Sequence, residues 1–302
     1  MFVLGEFMQG IIIKAISGFY YVKTLDNNII ECKAKGAFRN EGISPLVGDR
    51  VEFDFKDDDL HGILKDVLTR KNSLYRPPVA NVDKVFIVSA HSKPSPNTLI
   101  IDTVISICEY NNIKPIIVFN KSDLGDFDEL TDIYTMAGYK VIVTSVTNGD
   151  GIKEIEKELD SGISVFTGNS GVGKSSILNS IIPELQLKTG EISEKLGRGK
   201  HTTRHAQLYE SGFGGCVADT PGFATVEVDK TDYSFKENLE NLFIEFNDYL
   251  GKCRFAGCSH TGESGCAVCE AVNNGKIGVT RFESYKMIYN ELKDIKKWQI
   301  KK

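Results

Sequence analysis

No stretch of this 302-residue chain constrains its fold as tightly as Gly168-Asn169-Ser170-Gly171-Val172-Gly173-Lys174-Ser175, followed by Ser176. It fits G-x-x-x-x-G-K-[ST], in which glycines let the backbone curl so that successive N–H groups face a phosphate. A short apolar run over residues 164–167 precedes it, and a helical pattern over 175–182 follows. The motif requires that strand–loop–helix setting, because the helix N-terminus adds a partial positive charge. Residues Gly168 to Ser176 are therefore assigned to the phosphates of a nucleotide. Lys174 would bridge the β- and γ-phosphates, and the Ser175 hydroxyl would ligate Mg²⁺.

Asn120-Lys121-Ser122-Asp123 follows another apolar run, residues 116–119. A carboxylate at Asp123 can accept from guanine N1–H and N2–H₂, whereas adenine would leave that buried charge unpaired. Asn120 would brace the loop, and the Lys121 stem would lie over the base. Thr144-Ser145-Val146, after the run 141–144, would present backbone N–H to guanine O6, so Ser145 joins the set. Asp219-Thr220-Pro221-Gly222 matches D-x-x-G, with Asp219 approaching Mg²⁺ and the Gly222 N–H the γ-phosphate. Between the phosphate loop and this element lies Gly199-Lys200-His201-Thr202-Thr203. Thr202 or Thr203 would ligate Mg²⁺ only when the γ-phosphate is present, which makes the segment a switch.

The order of these motifs is unusual. Ras-like enzymes place the phosphate loop first and the base reader last; here the base reader comes 48 residues earlier. One spatial site can still result if the chain is circularly permuted. The Asp219–Gly222 element then lies near the end of its domain. A γ-phosphate signal would reach whatever follows with few intermediaries.

The remaining sequence divides around this centre. Residues 10–15, 19–24, 29–33 and 50–55 are short and rich in Ile, Val, Phe and Tyr, which predicts a small β-barrel or sandwich. The runs 85–89, 116–119, 141–144, 164–167 and 216–218 lack alternation, as strands buried on both faces do. With helical patterns over 98–110, 152–159 and 175–182 they predict an open α/β domain. Helical spacing returns at 236–250 and 281–298. The expected division is 1–75, 76–228 and 229–302.

Of seven cysteines, four fall between Cys253 and Cys269. An odd count with no signal-peptide pattern argues against a disulfide framework and for metal. Cys253, Cys258, His260 and Cys266 form C-x₄-C-x-H-x₅-C, a closed set suited to one structural Zn²⁺. Cys269 competes as fourth ligand; spacing favours His260. Cys32, Cys108 and Cys216 read as core thiols.

Together these motifs, with Pro45-Leu46-Val47-Gly48-Asp49-Arg50-Val51 near the N-terminus, closely resemble the RsgA (YjeQ) family of ribosome small-subunit-dependent GTPases. The resemblance implies an OB-fold RNA-binding domain at 1–75. A circularly permuted P-loop GTPase domain would span 76–228, and a mainly helical zinc-binding domain 229–302. It implies a bacterial cytoplasmic enzyme that hydrolyses GTP to GDP and phosphate. Such an enzyme binds the 30S subunit and its 16S rRNA during late maturation and is stimulated by that subunit. Phe223 stands where Ras-like enzymes place a water-orienting Gln, and a phenyl ring cannot orient water. The resemblance suggests His201 as the residue that orients or deprotonates water, with His205 as the second candidate.

A protein that coats nucleic acid should be basic, yet the formal net charge is −5. Divided by region, it is −1, −5 and +1, so the acidity belongs to the nucleotide domain. Local basic clusters remain: Lys195, Arg198, Lys200 and Arg204 in the first switch, and Lys293, Lys296, Lys297, Lys301 and Lys302 at the end. They would meet rRNA phosphates, although C-terminal lysines also suit a helix macrodipole. Phe19, Tyr20 and Tyr21 read either as barrel core or as base-stacking rings. No membrane, no DNA and a monomer are expected. The competing function is a GTP-sensing, RNA-binding chaperone module with negligible turnover.

Overall fold

The computed structural model describes residues 8–36, 38, 42–55, 61–91, 95–187, 206–219 and 233–294. Strands β1 (Met8–Ile16), β2 (Phe19–Thr24), β3 (Ile29–Ala34), β4 (Arg50–Asp54) and β5 (Gly62–Val67) come first, then the short β6 (Ser73–Leu74) and β7 (Val79–Ala80). Next follow β8 (Val82–Ala90), α1 (Thr98–Tyr110), β9 (Lys114–Asn120), α2 (Asp128–Met136), β10 (Lys140–Thr144), α3 (Ile152–Glu158), β11 (Ile163–Thr167) and α4 (Lys174–Ile181). Strands β12 (Gln207–Glu210) and β13 (Cys216–Asp219) precede helices α5 (Tyr233–Glu237), α6 (Ala267–Asn273) and α7 (Val279–Leu292). The chain forms two compact units: 1–83 with 157–165 and 190–223, and 84–156 with 166–189 and 224–302.

The first unit holds a closed five-stranded barrel. Strand β1 pairs antiparallel with both β2 and β4, β4 pairs with β5, and β5 runs parallel to β3, which returns to β2. Closure leaves no open edge within the ring. Ser17 and Gly18 both take positive φ (51° and 85°), which suits a two-residue hairpin between twisted strands. Ile12, Val22, Cys32, Val51, Phe53 and Leu64 fill the interior. The Pro45–Val51 stretch is pinned by Asp49, fully buried, which accepts from Leu46 N at 2.6 Å and from Arg70 Nε at 2.7 Å. Strand β13 runs parallel to β11 and antiparallel to β12, and Gln207 of β12 lies opposite Lys14 of β1.

In the second unit β8, β9 and β10 are parallel, with β9 between the others. Every residue of β9 after Lys114 is buried, which is why its sequence does not alternate. Asn97 caps α1 by accepting from Ile100 N at 3.2 Å.

The C-terminal region differs from its expected form. Residues 236–250 do not make one α-helix. After α5 come two 3₁₀ turns, Leu239–Leu242 and Ile244–Phe246. The break is at Phe243, whose φ and ψ (−101°, 85°) are non-helical. It turns Phe243 and Glu245 toward the buried guanidinium of Arg281, a tertiary demand that helical spacing does not record.

Candidate functional site

The base-reading and phosphate motifs meet in the second unit. Strand β9 ends at Asn120, which is 2% exposed. Asn120 Nδ2 donates to Val172 O at 2.9 Å, and its Oδ1 accepts from Thr144 Oγ1 at 3.0 Å. One side chain therefore ties the phosphate loop to the end of β10. Lys121, at φ 63°, reaches back so that Nζ donates to Gly171 O at 2.7 Å. The sequence permits this close approach only through glycine. A Cβ on Gly173 would lie 2.2 Å from Asn120 Nδ2, and one on Gly168 2.0 Å from Val88 O. Both glycines also hold φ values that L side chains rarely adopt (97° and 139°).

Asp123 is exposed, and its Oδ1 accepts from Ser145 Oγ at 2.6 Å. The Ser145 N–H donates to Asp150 O at 3.1 Å, and Ser145 Oγ accepts from Asn148 N at 3.2 Å. Ser145 thus contributes by orienting the Asp123 carboxylate through its hydroxyl. Its backbone N–H, expected to face guanine O6, is already engaged. Ser122 sits in the short turn Ser122–Leu124 between these groups.

Lys174 opens α4 and bends over the loop it ends. Its Nζ donates to Gly168 O at 2.6 Å and Asn169 O at 2.9 Å. Burial pushes its pKa down to about 8, because removal from water disfavours the ammonium. Ser175 and Ser176 follow in the first turn, both half-buried. Residues Asn120 to Asp123, Ser145 and Gly168 to Ser176 are thus assembled around one loop. Asp219 ends β13, but its side chain, and His201, Thr202, Thr203 and Gly222, lie outside the described residues. The same holds for Arg198, Lys200, His205 and Phe223.

Sequence reasoning passed over one residue here. His91 pairs through Nε2 with Asp126 O, and its ring centre lies 4.2 Å from that of Phe127. It braces the turn immediately after the base reader. The turn approaches this ring closely: a Cβ on Gly125 would lie 3.1 Å from His91 Nε2.

The second cluster is in the same unit. The ligand atoms of Cys253, Cys258, His260 and Cys266 all lie within 4.8 Å of one another. Cys253 Sγ is 3.5 Å from His260 Nδ1 and 3.9 Å from Cys266 Sγ, and His260 Nδ1 is 3.4 Å from Cys266 Sγ. A tetrahedron with metal–sulfur bonds of about 2.3 Å has edges of about 3.8 Å, so the donor set fits a four-coordinate metal. His260 Nε2 donates to Glu240 Oε2 at 3.1 Å, which orients the ring as a carboxylate beside a metal-binding histidine commonly does. Ala267 N points at Cys253 Sγ, and Cys269 N at Cys266 Sγ.

On the barrel, Phe19, Tyr20 and Tyr21 are all half-buried. Lys33 Nζ lies 5.0 Å from the Phe19 ring centre and Lys14 Nζ 5.6 Å from that of Tyr21. These two rings are i and i+2 on β2 and share a face with the lysines opposite them.

The family model described as "RsgA GTPase" matches residues 67–229, and "RsgA N-terminal domain" matches 9–64. A relative from Caldanaerobacter subterraneus subsp. tengcongensis, named "Small ribosomal subunit biogenesis GTPase RsgA", is 46% identical over 299 residues, covering 98% of this chain and 99% of its own. One of the same name from Agathobacter rectalis is 43% identical over 305 residues, covering 96% and 100%. The crystal structure of YjeQ from Thermotoga maritima superposes with a TM-score of 0.81 at 38% identity, over 96% of this chain and 100% of that one. YloQ, described as a circularly permuted GTPase, gives 0.78 at 35% identity, over 97% of each.

Proposed function

This chain belongs to the RsgA GTPase family, and on that premise we propose that it docks on the 30S ribosomal subunit and hydrolyses GTP there during late maturation. The observation that supports the nucleotide reading is the hydrogen bond from Asn120 to Val172, which joins the two motifs that the permuted order separates by 48 residues. Ser145 presents the Asp123 carboxylate to the N1–H and N2–H₂ edge. The Val146 N–H, beside the engaged Ser145, is the donor suited to O6. Asn120 and Lys121 hold the carbonyls of Val172 and Gly171, so the N–H groups of residues 168–176 turn toward the β-phosphate. Lys174 supplies positive charge to the β- and γ-oxygens.

Ser175, Asp219 and Thr202 or Thr203 would hold Mg²⁺, which neutralises charge on the transferring phosphoryl group when bound. Gly222 N–H would donate to the γ-phosphate. His201, in the first switch, orients or deprotonates the attacking water when the subunit is bound. With Phe223 in place of a Gln, turnover without the subunit should be slow.

The three regions take separate tasks. Residues 1–75 form the RNA-docking barrel, 76–228 the nucleotide domain, and 229–302 a helical region folded around one structural Zn²⁺. That ion is held by Cys253, Cys258, His260 and Cys266, a closed set that leaves no position for catalysis. The lysine-flanked rings Phe19 and Tyr21 suit stacking and phosphate contact with single-stranded 16S rRNA. Among the described residues no helix is long and apolar enough to cross a membrane. A cytoplasmic monomer is the working state we propose.

Co-sedimentation tests the partner. With a non-hydrolysable GTP analogue the chain should pellet with 30S subunits and not with 50S subunits. Equal recovery with both would overturn the assignment to the small subunit.

A further inference from the structure

The largest fully buried side chain among the described residues is not at either site. Arg281, on α7, is 1% exposed. Its NH1 donates to Asp102 Oδ1 at 2.7 Å, and Nε and NH2 donate to the two Glu245 oxygens at 2.7 and 3.0 Å. The guanidinium also lies over the rings of Phe243 (4.6 Å), Tyr139 (5.3 Å) and Tyr134 (5.9 Å). Desolvating an arginine costs much unless its donors are matched, and here both carboxylates match it.

The partners occupy informative positions. Asp102 is on α1. Tyr134 is on α2, the helix that follows the base-reading loop. Tyr139 is followed by β10, which delivers Thr144 and Ser145 to that loop. One turn along α7 from Arg281 is Tyr285, on the same face. Tyr285 Oη donates to Ser259 O at 2.8 Å, beside His260, and its ring packs edge-on against Phe243 and Phe246. A single helix face therefore holds the metal-binding loop at one end and the frame of the guanine site at the other. Three thiols and an imidazole on a short segment gain folding energy from the metal they bind, so the loop's order would depend on the metal.

We infer that metal binding at Cys253–Cys266 and guanine-nucleotide binding at Asn120–Asp123 stabilise each other, with Arg281 as the positioning residue that couples them. Closing the metal loop fixes Ser259, which seats Tyr285 and α7. Seated, Arg281 holds α1, α2 and the start of β10 in the arrangement that Asp123 and Ser145 need. Because the coupling is between two binding equilibria, it acts equally in both directions. The inference rests on the reading of residues 120–123 and 168–176 as the nucleotide site.

The full zinc-loaded chain provides the test. Zinc release to a chromogenic chelator is timed with and without GDP, and GDP affinity is titrated before and after zinc removal. GDP should slow zinc release, and zinc removal should weaken GDP binding, each on the order of five- to tenfold. Arg281→Met should bind zinc and lose both effects. Should that variant fail to fold, Asp102→Asn, which keeps the shape and removes one charge, should shrink both. Wild-type zinc release unaffected by saturating GDP would overturn the inference. Coupling intact in the folded variants would overturn the role of Arg281. A wild-type chain that binds no GDP would instead sink the nucleotide reading, and the inference with it.

Discussion

Ser145 Oγ donates to Asp123 Oδ1 at 2.6 Å, joining the loop after β9 to the loop after β10. The bond occupies one lone pair of Oδ1 and leaves Oδ2 and the second lone pair of Oδ1 to accept from a base. Hydrogen bonds to charged groups contribute about 1.5–3 kcal/mol, so Ser145→Ala should weaken GDP binding on the order of tenfold or more. Asp123→Asn exchanges an acceptor for a donor. It should prefer xanthine nucleotides, which carry an oxygen where guanine carries its amino group. Fluorescence titration with GDP and XDP checks both.

Gly173→Ala should abolish tight nucleotide binding with the fold retained. The added methyl would meet Asn120 Nδ2 at 2.2 Å on a backbone at φ 97°. Relief requires moving Asn120, and with it the bonds to Val172 and Thr144. Circular dichroism should be close to wild type while GDP affinity collapses.

Burial lowers the Lys174 pKa to about 8. The unfolded state then binds more protons than the native state between about pH 8 and the ordinary lysine value near 10.4, so stability of the nucleotide-free protein should rise with pH across that window. Phosphate oxygens favour the charged ammonium and raise the pKa again. GDP binding at about pH 9 should therefore take up a proton, measured by calorimetry in buffers of different ionisation enthalpy. Lys174→Met should remove the uptake.

The wild-type chain should carry one zinc by elemental analysis. Cys258→Ser should carry well below one, and Cys269→Ser should keep one, because Cys269 contributes its backbone N–H to Cys266 Sγ. A Cys269→Ser protein without zinc would move the fourth ligand from His260 to Cys269.

The parts of the site that could be read from sequence are those where chemistry dictates residue type. Gly168, Gly173 and Lys174 have few substitutes in a phosphate loop, and β9 is legible because burial on both faces removes alternation. The fifth barrel strand, Gly62–Val67, was not read. Only Gly62 and Leu64 face inward, and Lys65 and Asp66 mask so short a pattern. Ser145 lies beside the loop after β9, and the role of its hydroxyl depends on a tertiary contact. Arg281 gave no signal at all. A basic residue in an amphipathic helix reads as a solvated position until Asp102, 179 residues away, is seen beside it.

Steady-state GTP turnover with and without purified 30S subunits, on the wild type and on His201→Ala, tests the central claim. Proton transfer by one positioned side chain is worth on the order of 10²- to 10⁴-fold. Turnover should be slow alone and strongly accelerated by 30S subunits, and His201→Ala should lose that acceleration with GDP affinity unchanged. A wild-type rate that does not respond to 30S subunits would contradict the claim.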